Sequence, residues 1–101
     1  MICTLTARRL KPGSFEDFRA VWEGEQERRP ELAQRWNPIY VTRDVSDENV
    51  IVSFGFFDGT LDELREAQRE YGYGSVVERL SPHVDEVLLD GAYEVVKEVR
   101  R

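Results

Sequence analysis

The stretch from Asn49 to Glu63, NVIVSFGFFDGTLDE, sets bulky apolar side chains on both sides of one strand. Val50, Val52, Phe54 and Phe56 alternate on one face, and Ile51 and Phe57 lie on the other. A strand apolar on both faces belongs inside a sheet that is covered on both sides. Asp58-Gly59 then turns the chain, and Thr60 followed three residues later by Glu63 has the pattern of a capping box that opens a helix. That helix covers one side of the sheet. The other side needs a cover from elsewhere.

The flanking chain supplies the rest of the sheet. Ile2 to Arg9 alternates as a strand, with Cys3, Leu5 and Ala7 opposite Ile2, Thr4, Thr6 and Arg8. Lys11-Pro12-Gly13 ends it, and Ser14 is an N-cap for a helix. Glu16 and Asp17 favour the start of that helix electrostatically, and Arg28 and Arg29 favour its end. Phe15, Phe18, Val21 and Trp22 make its apolar stripe, and Pro30 stops it. Ile39 to Val45 is a second strand, joined through the polar turn Ser46 to Asn49 to the central one as an antiparallel hairpin. A second helix runs from Leu61 to about Tyr71, is interrupted at Gly72-Tyr73-Gly74 and resumes over Ser75 to Leu80. Ser81-Pro82 reads as a fresh helix start that turns Val84, Val87 and Leu88 inward, and Ala92 to Val99 reads as the last strand.

The order β-α-β-β-α-(α)-β makes two βαβ halves whose crossovers are long enough to join parallel neighbours. Right-handed crossovers place strands one and three in the middle, in spatial order four, one, three, two, with the helices on one face. The expectation is an α+β, ferredoxin-like βαββαβ plait over residues 1–101, one domain, with an extra short helix before the last strand. The uncovered face is expected to carry Ile51, Phe57, Tyr40 and Val96 among Thr4, Thr6, Arg8, Thr42, Glu94 and Glu98. A patch of that kind calls for a homodimer packed through the sheet face.

Composition narrows the function classes. Hydrophobic residues are 41% and charged residues 34% of the 101, which is a globular balance, and the net charge is −6 with no basic face. Phosphate binding needs a positive footprint, so nucleic acid is not an expected partner. No apolar run approaches the roughly 20 residues that cross a bilayer. Cys3 is the single cysteine, so an internal disulfide and a cysteine-based zinc site are excluded. The acids lack histidine partners at metal-ligand spacing. A cytoplasmic protein without membrane, metal or cofactor is the expectation.

The opening strand with Lys11-Pro12-Gly13, the hairpin from Tyr40-Val41-Thr42-Arg43-Asp44 to Phe54-Gly55-Phe56-Phe57-Asp58, and Leu80-Ser81-Pro82-His83-Val84 before a final strand together resemble the dimeric α+β barrel superfamily. The likeness is greatest to the antibiotic biosynthesis monooxygenase-type domains and covers nearly the whole chain. It implies a homodimer and, among several activities, cofactor-independent oxygenation of aromatic, polyketide-like ligands held between helices and sheet. Phe57 stands where family members often carry a tryptophan, which implies a ligand contact. The histidine many members carry in the second helix is missing. The haem-degrading branch uses an asparagine on the first strand, and Ile2 to Arg9 contains none.

Within that frame the chemistry-bearing residues are few. His83 is the only side chain that ordinarily titrates near neutrality, so a general acid-base step recruits it first. Arg8 is the candidate for handling an enolate, although pairing of Arg8 and Arg43 with Glu94, Glu98 or Asp44 is the cheaper reading. Tyr71 and Tyr73 flank the glycines at the helix break and are expected at a pocket mouth. Trp22 lies on the apolar stripe and would help shape the pocket, and Gly55 leaves space above the sheet that either marks a cavity floor or is filled by Phe15 or Trp22. The alternative is a non-catalytic ligand-binding or interaction module on the same dimer.

Overall fold

The computed structural model describes residues 1–101. The chain runs β1 (Ile2–Leu10), α1 (Phe15–Arg28), α2 (Pro30–Ala33), β2 (Trp36–Arg43), β3 (Val50–Phe57), α3 (Leu61–Tyr71), α4 (Tyr73–Leu80), a 3-10 turn (Ser81–His83) and β4 (Val84–Glu94). The strands form one sheet in the order β2-β3-β1-β4, the order expected from the sequence. Every neighbouring pair is antiparallel. The crossovers therefore join strands separated by one position, not parallel neighbours, because β3 slots between β1 and β2 and β1 between β3 and β4.

Local chemistry sets the helix ends in two cases and not in a third. Thr60 caps α3 as a full capping box: its hydroxyl accepts from the Glu63 backbone N–H at 3.2 Å, and the Glu63 carboxylate accepts from the Thr60 N–H at 3.1 Å. Gly72, at φ +79°, ends α3 and lets α4 start at once in a new direction. Ser14 precedes α1 but makes no side-chain cap bond.

Two boundaries differ from the sequence reading. Ser81-Pro82 opens only the 3-10 turn, and residues 84–94 are extended, so Val84, Val87 and Leu88 lie on a strand and not on a helix. Their β-branched and apolar run pairs with β1 from Leu10 back to Ile2, which leaves 95–101 beyond the strand. β2 likewise starts earlier than expected, at Trp36, with a register shift between Trp36 and Ile39 next to the cis Asn37-Pro38 bond.

The helices cover the face opposite to the one assigned from the sequence. Leu10, Ile51, Phe57, Leu64 and Phe18 are the fully buried large side chains, so Ile51 and Phe57 point toward the helices. Register carries Ile2, Thr4, Thr6 and Arg8 to the same side. The bare side takes Cys3, Leu5 and Ala7 of β1, Val52, Phe54 and Phe56 of β3, Tyr40 of β2, and Leu89 and Tyr93 of β4. Tyr40, Phe54 and Phe56 stack as a small cluster with ring centroids 5.2 and 6.1 Å apart. The polar residues expected to wet the outer face, Thr4, Thr6 and Arg8, are instead beneath the helices. The shortest extent of the molecule is 19 Å, room for one helix layer on one sheet and no more.

Candidate functional site

A cavity of about 330 Å³ lies between the helices and the sheet, at the lower end of the size range of small-molecule sites. Its floor is the helix-facing side of the two central strands, at Thr4, Thr6, Arg8, Ser53 and Gly55. Trp22 of α1, Tyr71 of α3, Tyr73 of α4, Trp36 of β2 and Asp90 of β4 rise around it. The floor is polar and low because β1 supplies threonines and β3 supplies Ser53 and Gly55 at positions where the same face elsewhere carries Ile51 and Phe57. A methyl group on Gly55 would come within 3.1 Å of Ile39 Cγ1 and 3.5 Å of Trp36 Cβ. Ile39 and Trp36, not Phe15 or Trp22, thus lean over the glycine.

The residues singled out in the sequence divide. Arg8, Trp22, Gly55, Tyr71 and Tyr73 come together around the cavity. Phe57 does not: it is 0% exposed, packed with Ile2, Leu64 and Ala67 and against Trp36 at 5.3 Å. His83 sits in the 3-10 turn, where its carbonyl accepts from the Lys11 N–H at 3.0 Å, and its side chain does not line the cavity. In this protomer the imidazole is away from any molecule bound there.

Arg8 is the distinctive group. It is 7% exposed, at a position where β1 and β4 slip register so that Arg8 faces Val87 while Ala7 faces Leu89. Such slips re-aim side chains. Pairing with Glu94, Glu98 or Asp44 is overturned: the acids that bind arginines elsewhere in the molecule do not reach it, and its guanidinium carbon lies 5.9 Å from the centre of the Phe18 ring. No side-chain nitrogen or oxygen is sealed in the interior without a partner, so the unpaired guanidinium must face the open volume of the cavity. A guanidinium keeps its proton in proteins. Arg8 can stabilise an anion there, and it cannot act as the base.

Tyr71 reaches the cavity by a fixed route. Its hydroxyl donates to the Glu25 carbonyl on α1, and its own carbonyl accepts from Arg28 Nη2 at 2.9 Å. Burial, and then the nearby Glu25 carboxylate, push the phenol's pKa up. The buried Glu25 carboxylate takes hydrogen bonds from Arg79 of α4 and, at 3.0 Å, from Arg28, and the bond from Arg79 is the main reason its pKa is held low. Trp36 and Asp90 were not picked out in the sequence. The signal available for Trp36 was the start of a strand, hidden by the Asn37-Pro38 step; for Asp90 it was the placement of β4, read there as a helix end.

No protein-family model matches the chain, and no curated protein matches its sequence. Solved structures do match its shape. A Deinococcus radiodurans protein provisionally named an antibiotic biosynthesis monooxygenase aligns with 100% of this chain and 98% of its own at 16% identity and a TM-score of 0.77. A Caulobacter crescentus CB15 protein with the same provisional name covers 95% and 90% at 13% identity and 0.76. A conserved protein of Methanosarcina mazei Go1 covers 91% and 89% at 14% identity and 0.74. The chain has the ferredoxin-like fold of the antibiotic biosynthesis monooxygenase-type domains.

Proposed function

We propose that the protein binds one aromatic small molecule in the cavity between helices and sheet, and that it oxygenates this ligand without a cofactor. The observation that carries the reading is the cavity of about 330 Å³ walled by Trp22, Trp36, Tyr71 and Tyr73 over a polar floor. Large rings with a few convergent polar groups are what a flat, partly polar molecule needs. Provisional monooxygenase names among structures of this fold point the same way.

Oxygenation of this kind converts an activated ring CH₂ to a carbonyl. One atom of O₂ stays on the carbon and the other leaves as water, with all four electrons coming from the substrate. The protein's part is to take a proton and hold the resulting anion. Arg8 is the anion-holding group, and Asp90 is the carboxylate on the cavity wall that can accept the proton. His83 is not needed. Aerobic incubation with an anthrone-type phenol tests the reading: quinone formation above the protein-free rate, with one O₂ consumed per turnover, supports it.

A second reading, binding without turnover, is favoured by the exposure of Asp90, the one carboxylate on the cavity wall. Quenching of tryptophan emission by the same phenol with no oxidation above the blank would select it.

The working unit in either case is a homodimer, in the cytoplasm. A folded monomer of 11.8 kDa exposes about 5,900 Å², and this protomer exposes 6812 Å². The excess, about 900 Å², is close to the roughly 800 Å² that each partner contributes to a standard interface. Exposed apolar side chains include Tyr40, Leu89 and Tyr93 on the bare sheet and Val96 and Val99 on the arm beyond β4. A second copy covering that face takes these apolar side chains out of water. Light scattering giving a single species at twice 11.8 kDa is the expected result.

A further inference from the structure

We propose that the cavity selects an aromatic oxyanion, a flat ring bearing one carboxylate or ionised phenol, and that Arg8 is its counter-charge. This rests on the reading of the cavity as a small-molecule site and adds the ligand's chemical class. Arg8 is 7% exposed as a residue and makes no ion pair, and its nitrogens are not sealed off, so the solvation left to the guanidinium comes through the open volume beside it. Arg8 lines the cavity at one end of the floor, past Thr6 on β1 and beside Ile51 of β3.

The charges around the cavity give the ligand's sign. Arg8 and Arg65 are the cations on its wall and Asp90 is the anion, a balance of one positive charge. Arg65 is exposed, with water to screen its charge, and donates to the neutral Gln68 Oε1 at 3.0 Å. Arg8 is thus the cation left for a ligand, and one negative charge on the ligand makes the site neutral. A planar oxyanion matches the fork of a guanidinium. The rings of Trp22, Trp36 and Tyr73 supply faces for the rest of the molecule.

The protein carries its own reporter, because its only two tryptophans, Trp22 and Trp36, both line the cavity. Tryptophan quenching of the full-length protein is measured with 4-nitrobenzoate and with the neutral isostere 4-nitrobenzamide. The acid should bind about 10- to 100-fold more tightly, the range of a charge-assisted hydrogen bond. Arg8→Met should erase this preference and Arg8→Lys should keep part of it, while Arg19→Gln, at an exposed arginine of α1 that does not line the cavity, should leave it intact. A nitrophenol titrated through its ionisation separates phenolate from carboxylate preference, and tighter binding of the ionised form supports the assignment.

Equal affinity for acid and amide in the unaltered protein overturns the proposal while leaving an aromatic site standing. So does a preference that survives in folded Arg8→Met. If Arg8→Met fails to fold, the acid-to-amide ratio of the unaltered protein and of Arg8→Lys decides. Absence of quenching by either nitroaromatic up to millimolar concentration overturns the small-molecule site itself, and the proposal with it.

Discussion

The phenol of Tyr71 on α3 donates its hydrogen bond to the main-chain carbonyl of Glu25 on α1, forty-six residues earlier in the chain. Arg28, one turn further along α1, bonds back to the Tyr71 carbonyl at 2.9 Å and lays its guanidinium 5.3 Å from the centre of the ring. Helices α1 and α3 are therefore clamped through one residue, and the Tyr71 ring stands in the cavity wall with its hydroxyl already committed. Tyr71→Phe removes the donor and keeps the ring. The expected loss is about 1 kcal/mol of folding stability, seen as a fall in melting temperature of about 4–8 °C for a domain of this size. A melting curve that does not move would show that the bond adds nothing net.

Glu25 makes the same junction sensitive to acid. Its carboxylate is held below the usual value near 4.5 by the Arg79 hydrogen bond first, against the opposing effect of burial, with Arg28 adding to the lowering. A depressed folded-state pKa contributes stability that is complete above the unfolded value and is lost as the pH falls through the folded one. The stability advantage of the unaltered protein over Glu25→Gln should be constant above about pH 4.5 and shrink below it. Denaturant midpoints between pH 3 and pH 7 measure this. A difference that grows on acidification would contradict the assignment. Glu31 and Glu63 are lowered too, by backbone hydrogen bonds first, so the comparison with the variant isolates Glu25 from them.

Leu89 tests the bare sheet. It pairs with Ala7 on the uncovered face and is 48% exposed. A charge there costs a lone protomer little, and in a sheet-to-sheet dimer it is buried without a partner. Leu89→Glu should convert the species at twice 11.8 kDa into one at 11.8 kDa at micromolar concentration, with the circular dichroism of the fold retained. A variant that stays dimeric would move the interface elsewhere.

His83→Ala addresses proton chemistry. The imidazole lies in the 3-10 turn, off the cavity, so quenching by a nitroaromatic acid should keep its affinity within about twofold, well inside one hydrogen bond's worth. A tenfold loss would bring His83 into contact with the ligand and contradict its place off the cavity.

Much of the architecture was legible because its signals are local. Thr60 and Glu63 are three residues apart and make the capping box on their own; Gly72 breaks α3 because only glycine takes φ +79° without strain. The order of elements, with right-handed crossovers, then leaves few topologies, and the strand order follows. The extent of β4 was not legible. Ser81-Pro82 and the apolar spacing after it suit a helix as well as a strand over so short a run, and the pairing of Val84 with Leu10 and of Glu94 with Ile2 decides it.

The sequence by itself determined that β3 is central and apolar on both faces and that the helices of this chain cover only one side of the sheet. Only the tertiary structure decided which face. Alternation tells two sides of a strand apart without saying where the crossover helices land, and here Phe18 and Leu64 come down on Ile51 and Phe57. The same choice turned Arg8 inward, and Glu94, which register places on the same face opposite Ile2, sits at the far end of β1 from it. Burial and the lack of a partner are properties of the folded surroundings, and they make an ordinary strand arginine the most informative residue in the cavity.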